Sequence, residues 1–162
     1  GPRAPPVTVS LRVAGEADRA LVAHLVQLEQ HDLSAITGEL PGDDGLFPVA
    51  RLDRFFAEPG CTAYVVEHDG SPAGFALVRP VDGTSFVHSF FVVRSLRRRG
   101  VGAEAAVQLL ATHGGAWTIA FVERYDAAAR FWREVVTRTG RRWTEEQREH
   151  GGETFAWLTL EP

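Results

Sequence analysis

One cysteine, no methionine and no long apolar run set the first bounds on this chain. Cys61 stands alone, so no intrachain disulfide can form, and a reducing, cytoplasmic setting is the expectation. Its thiol reads as a buried group in a strand rather than a nucleophile. The apolar runs fall far short of the roughly 20 residues of a membrane helix, and no secretory h-region opens the sequence, so no membrane partner is expected. His24, His31, His68, His88, His113 and His150 are scattered without zinc-ligand spacing, so no metal is expected. Internal repeats and long linkers are missing too. The formal net charge of −4 argues against a dedicated nucleic-acid binder. Gly1-Pro2 reads as the remnant of a protease site and is set aside.

What is present is 162 residues, 44% hydrophobic and 23% charged, the profile of one globular domain. Its most informative stretch is Arg97-Arg98-Arg99-Gly100-Val101-Gly102-Ala103. That stretch follows the apolar run 85–93 and opens a helical segment, 103–112. Glycines let the main chain approach an anion closely. The first helical N–H groups are unpaired, and the helix dipole favours negative charge beside them. Arg94, Arg97, Arg98 and Arg99 crowd positive charge around the same turn. On an acidic chain, such a local patch suits a small polyanion, a phosphate or pyrophosphate; the plain alternative is a solvated charge run.

The hydrophobic pattern orders the rest. Strands are expected over 7–13, 61–67, 73–79, 85–92, 117–122 and 154–160, with 141–144 a candidate partner for the last. An amphipathic helix over 18–30 carries Leu21, Val22, Leu25 and Leu28. A second helix is expected from Pro48 through Phe56, and a third over 126–136; Gly114-Gly115 should end the helix after the arginine turn. Asp69-Gly70 marks a hairpin, and 39–45 reads as a loop. The strand–helix–strand unit around 97–122 should be parallel and right-handed. The result is a mixed sheet with helices on both faces.

Arg97-x-x-Gly100-x-Gly102 after a hydrophobic strand resembles the acetyl-CoA signature of the GNAT N-acetyltransferases, Gln/Arg-x-x-Gly-x-Gly/Ala. Tyr125-Asp126-Ala127-Ala128-Ala129-Arg130-Phe131-Trp132 resembles that family's Asn-x-x-Ala-x-x-Phe-Tyr. His31-Asp32-Leu33-Ser34, Ala73-Gly74-Phe75-Ala76-Leu77 and Phe131-Trp132-Arg133 resemble a subgroup of small acetyltransferases. The element order agrees over 7–160. The resemblance implies an α/β domain spanning 1–162, with a mostly antiparallel sheet of six to seven strands. Acetyl-CoA would be the cosubstrate and a small cationic amine the acceptor, acetylated by direct attack without a covalent enzyme intermediate. It further implies that the backbone of Phe90, Phe91 and Val92 pairs with the pantetheine arm. The diphosphate would rest on the amides from Arg98 through Arg99, Gly100, Val101 and Gly102 to Ala103, with Arg97 and its neighbours adding charge. Tyr125 and Trp132 would lie beside the cofactor. A homodimer is also in keeping with the resemblance.

Two positions depart from the family pattern. The usual Asn is Tyr125, and the usual Tyr, often given the task of protonating the departing thiolate, is Trp132. An indole N–H is no acid at neutral pH. Tyr125 or water takes that part, or the thiol leaves unaided, since its pKa is about 8.5. Core packing is the plain alternative for Trp132.

An amine with a pKa of about 10.4 must shed a proton before it attacks. Candidate bases are His88 and Glu123, with Tyr125 as candidate acid. Alternation puts His88 on one face with Phe86, Phe90 and Val92. A satisfied core histidine and a solvated rim carboxylate are the plain alternatives. The resemblance puts His31 and Asp32, at the end of the first helix, and the loop acids Glu39, Asp43 and Asp44 over the acceptor site, with helix capping or solvation the plain alternative. Two other functions stay open: a non-catalytic acyl-CoA binding module, and a dinucleotide site in which Gly100-Val101-Gly102-Ala103-Glu104-Ala105 is Gly-x-Gly-x-x-Ala and Glu123 the ribose acid.

Overall fold

In the computed structural model, which describes residues 8–162, the chain opens with β1 (Val9–Val13) and a 3-10 turn (Glu16–Asp18). There follow α1 (Arg19–Thr37), α2 (Arg54–Ala57), β2 (Thr62–His68), β3 (Ser71–Val81) and β4 (Thr84–Val92). A second 3-10 turn (Arg94–Leu96) leads to α3 (Val101–Leu110), β5 (Trp117–Val122), α4 (Asp126–Arg138), β6 (Trp143–His150) and β7 (Glu153–Leu160). Residue 7 of the first expected strand and the Gly1-Pro2 remnant lie outside the described residues. The seven strands form one sheet in the order β1-β2-β3-β4-β5-β7-β6. Its neighbours are antiparallel except β4 and β5, which run parallel as the strand–helix–strand unit requires.

Local chemistry explains most boundaries. Asp69 and Gly70 have φ of 50° and 80°, the left-handed pair that a two-residue hairpin needs to match strand twist. Helix α1 runs two turns further than the apolar pattern predicts and stops at Gly38, whose φ of 73° lets its N–H reach Ser34 O at 2.9 Å. His31 and Asp32 therefore lie inside the helix, not at its end. Pro48 starts no helix: the left-handed backbone of Arg51 (φ 55°) interrupts the segment, and only the four residues of α2 are helical. Gly114-Gly115 lie beyond the end of α3, which closes at Ala111. Cys61 is half-buried in the turn before β2, rather than buried in a strand. The β6 strand extends well past 144, through a run of polar residues; among the described residues it is an edge strand held only by β7, and charge there discourages pairing with other chains.

Two apolar layers sandwich the sheet. On one face α3 and α4 bury Leu109, Leu110, Val135 and Val136 against Trp117, Ile119, Leu158 and Leu160. On the other, α1 and α2 bury Val22, Leu25, Val26 and Phe55 against Val65, Phe75, Leu77 and Phe91.

A bulge in β4 reassigns its faces. Val78 pairs with Val87 but Leu77 pairs with Ser89, so His88 is the extra residue. Beyond it the alternation reverses. The His88 ring packs 5.0 Å from Phe55 of α2, whereas Phe90 packs 5.8 Å from Phe131 and 5.5 Å from Trp132 of α4. The expected common face of Phe86, His88, Phe90 and Val92 is therefore not observed: His88 lies on the α2 side, Phe90 on the α4 side.

Where β3 meets the end of β4, Gly74 pairs with Val92, and a Cβ on Gly74 would stand 2.0 Å from Phe91 O. That contact is with main chain, which cannot swing aside. Gly74→Ala is expected to cost about 2–3 kcal/mol, read as a lower denaturant midpoint at unchanged m-value.

Candidate active site at the parting of two strands

Strands β4 and β5 are paired only at Ser85↔Trp117 and Phe86↔Thr118, and then diverge. Val93 N–H donates to Ala73 O at 2.8 Å, so the alternation of an antiparallel ladder turns the N–H groups of Phe90 and Val92 away from β3, into the gap. At the tip of β4, Arg98 (φ 63°) and Gly100 (φ 78°) adopt left-handed backbone and bend the chain into α3. The first intrahelical bond of α3 runs from Glu104 N–H to Gly100 O at 3.0 Å. The N–H groups of Val101, Gly102 and Ala103 precede it and have no acceptor within the helix, so this end can meet an anion.

A cavity of about 390 Å³ lies beside this turn. Phe90, Phe91, Val92, Arg97, Gly102 and Phe131 form one wall; Glu29, Asp32, Leu33 and Ile36 of α1 form the other. Helix α1 is tied to the turn through Asp32, which accepts from Arg94 Nη2 at 2.5 Å and from Arg97 Nη2. Burial pushes the Asp32 carboxyl upward, but the Arg97 and Arg94 hydrogen bonds outweigh it and hold the group below its ordinary value. Arg97 also donates from Nε to Val92 O at 3.2 Å. Arg98 and Arg99 are exposed and have no carboxylate partner among the described residues. The arginine turn is thus divided between two residues bound to α1 and two left for solvent or ligand.

Glu29 escaped the sequence reading. Burial pushes its carboxyl up to about 7; the 3.4 Å hydrogen bond from Gln30 opposes the shift and the Asp32 charge adds to it. The sequence held one signal: Val22, Leu25 and Val26 set an apolar helical stripe, and position 29 continues it with a carboxylate. Phe131 was also missed as a cavity wall, because its neighbour Trp132 drew the family comparison.

The other expected residues are distributed as follows. His88 is open to solvent at one edge; its Nδ1 accepts from Arg79 Nε at 3.2 Å, which puts the ring proton on Nε2. Desolvation lowers its pKa, and the charges of Arg79 and Arg54 lower it further. Glu123 accepts from Arg133 Nη2 at 2.9 Å and from Gln147 at 3.2 Å, and the Arg133 bond holds its carboxyl below the ordinary value. Tyr125 caps α4, its hydroxyl accepting from Arg124 at 3.2 Å. Trp132 is buried, edge-on to both Phe90 and Phe131, in the position of a core residue. His31 is exposed, 6.5 Å from the Phe47 ring.

Comparison with known proteins agrees with this geometry. Residues 23–135 match the family model for acetyltransferases of the GNAT family, and the chain belongs to that family. No curated protein sequence matches it. Among solved structures, the ribosomal-protein-S18-alanine N-acetyltransferase from Escherichia coli is 15% identical, with a TM-score of 0.63 over 94% of this chain and 93% of that one. An acetyltransferase from Thermus thermophilus is 17% identical, with a TM-score of 0.68 over 94% and 96%. An aminoglycoside acetyltransferase solved with coenzyme A is 15% identical, with a TM-score of 0.65 over 95% of each chain. The mostly antiparallel sheet of seven strands, with helices on both faces, is the fold expected. A doubly wound dinucleotide domain needs a set of parallel strands, and here only β4 and β5 are parallel. Among the described residues no helix is long and apolar enough to cross a membrane.

The Glu29 shift makes a stability prediction. Its folded pKa lies above the unfolded one, so the fold favours the protonated form. That stabilisation is complete below about pH 4.5 and is lost as pH rises through 7. Glu29→Gln should match the wild type in chemical denaturation at pH 4.5 and exceed it at pH 8 by about 1–3 kcal/mol.

Proposed function

We propose that the protein moves the acetyl group of acetyl-CoA to the nitrogen of a small amine that arrives as a cation, by direct attack and with no acyl-enzyme. The observation that carries this reading is the meeting, at one end of the sheet, of three features. These are the inward N–H groups of Phe90 and Val92, the free amides of α3, and an apolar cavity between them. In this reading the amides of Val101, Gly102 and Ala103 take the diphosphate, with the free guanidinium groups of Arg98 and Arg99 beside it. The N–H groups of Phe90 and Val92 bond the pantetheine amides as a neighbouring strand would, and Phe131 covers the arm. An N–H in the gap also polarises the thioester carbonyl.

Glu29 is the group best suited to take the amine's proton. It lines the cavity and is half-ionised near neutrality, where a base is most effective. His88 and Glu123 remain in reach of the proposal, but the Nδ1 of His88 is engaged by Arg79 and Glu123 is paired with Arg133. The ammonium first gives one proton through Glu29 to solvent, and the neutral amine attacks: the C–N bond forms, the C–S bond breaks and the electron pair leaves on sulfur. The nitrogen's second proton goes to Glu29, Tyr125 or water supplies one to the thiolate, and solvent restores both side chains. Trp132 takes no part beyond packing. Asp32 holds Arg94 and Arg97 in place, and Glu29, which has no such partner among the described residues, is the carboxylate left to meet an ammonium group.

Two experiments test the reading. A Cβ at Gly102 would stand 3.5 Å from Phe131, an ordinary contact, so the protein tolerates a side chain there while the diphosphate path does not. Gly102→Asp should melt near the wild-type temperature yet bind acetyl-CoA at least tenfold more weakly in calorimetry, a loss of about 1.4 kcal/mol or more; unchanged affinity would refute the cradle. In an acceptor screen read by release of the CoA thiol, Glu29→Gln should lower kcat/KM by roughly 100-fold and remove the limb of the pH profile near 7. A loss with the limb intact would assign the proton to another group.

A further inference from the structure

Helices α1 and α2 cover the β2–β3–β4 side of one sheet face, and among the described residues the same face of β5, β7 and β6 carries no helix. Across this bare half runs a row of stacked groups. The Arg79 guanidinium lies 4.9 Å from the Phe86 ring centre, Phe86 stacks on Trp157 at 5.3 Å and 19°, and Arg148 lies 4.0 Å over Trp157. Phe86, Ala120, Phe155 and Trp157 line a recess of about 320 Å³; Arg148, Glu149 and His150 close its β6 end, and Arg79 lies outside it, over Phe86. Phe86 is also the last β4 residue paired to β5. The recess therefore opens at the foot of the gap, on the sheet face opposite α4.

The two ends of the row differ in charge. Arg148 is neutralised by Glu146 at 2.5 Å. Arg79 has no carboxylate partner among the described residues; its one side-chain hydrogen bond goes from Nε to the His88 ring. All 17 cationic side chains counted as Lys or Arg are arginines. Among the other arginines without a carboxylate, Arg98, Arg99, Arg130 and Arg142 are exposed, and Arg141 donates to the carbonyls of Leu110, Gly115 and Glu161. Among the described residues, Arg79 alone is half-buried with the end of its fork free. A guanidinium removed from water costs free energy unless an anion meets it. With Nε spent on His88, Nη1 and Nη2 are left side by side, the geometry that grips a carboxylate through two parallel bonds.

We propose that Arg79 receives a carboxylate of the acceptor, so that the substrate is an amine that also bears a carboxylate, its apolar body resting on Phe86 and Trp157. This rests on the acetyl-transfer reading above and names the substrate class for it. His88 is a positioning residue in this scheme, fixing the guanidinium through Nδ1.

The test is a panel of amino acids, each beside its own amide, assayed by CoA-thiol release with wild type, Arg79→Gln and Arg79→Lys. The wild type should favour acids over amides by tenfold or more in kcat/KM. Arg79→Gln should bring that ratio to about one, and Arg79→Lys, which keeps the charge but not the fork, should fall between. Acetyl-CoA affinity should be equal in all three. No preference in the wild type, or a preference that survives Arg79→Gln, would overturn the proposal. If no amine in the panel is acetylated, the transfer reading fails first, and titration with phenylacetate decides this one separately. Binding at least tenfold tighter to wild type than to Arg79→Gln supports it; equal or no binding overturns it. A dimer in sedimentation that is broken by Trp157→Glu would give the face to a second copy of the chain and would also overturn it.

Discussion

Two parallel rungs, Ser85↔Trp117 and Phe86↔Thr118, join one half of this sheet to the other. The four strands before the joint and the three after it are each stitched by longer antiparallel ladders. What keeps the halves together is the shared apolar layer under α3 and α4, not the ladder between β4 and β5. The ladder between β4 and β5 stops at Phe86, two residues before the bulge at His88. Buried main-chain N–H groups demand partners, and a gap between strands leaves some unmet. Under the proposed function, a ligand with amides of its own, bonded to the N–H groups of Phe90 and Val92, meets that demand, and the shortness of the joint is what leaves room for it.

The second constraint is electrostatic. Arg94, Arg97, Arg98 and Arg99 follow one another within a short turn, and left alone they would repel. Asp32, arriving from α1, bonds two of them and leaves the other two for an incoming anion. The same contact fixes the height of α1 above β4 and so sets the far wall of the cavity. Glu29, three residues before Asp32 on the same helix, stands against that negative charge and behind the apolar rim. One carboxylate is kept ionised by the arginines that hold it; the other, with none beside it, is pushed toward its protonated form by burial.

Legibility in the sequence followed the range of the forces involved. The arginine–glycine turn, the Asp69-Gly70 hairpin and the amphipathic α4 were readable because each depends on residues a few positions apart. The bulge at His88 was not, because a period of two cannot register one extra residue whose cause is a partner strand. The reversal of faces beyond it misled the grouping of His88 with Phe90. The polar β6 was read only at its first residues, since an edge strand exposed on both sides carries no alternation to detect. The far end of α1 was lost for the opposite reason: its last turns expose Leu33 and Ile36 and bury little, so the stripe stops before the helix does. Glu29 was visible as a break in that stripe, and only the fold says that a cavity lies against it.

Charge on the two walls of the gap is held in different ways. On the α1 side Asp32 is spent on Arg94 and Arg97, and Glu29 has no cationic partner among the described residues. On the α2 and β3 side stand Arg54 and Arg79, and both lower the pKa of the His88 ring. Arg54 shares Glu58 with Arg51, which leaves that side with an excess of positive charge. Guanidinium groups thus hold Asp32 on one wall and Glu58 on the other, and Glu29 is the exception. Under the proposed function, an acceptor's nitrogen has Glu29 alone to turn to, whereas its anion would be met by Arg79. The pair would set the acceptor's direction as the strand N–H groups would set that of the cosubstrate.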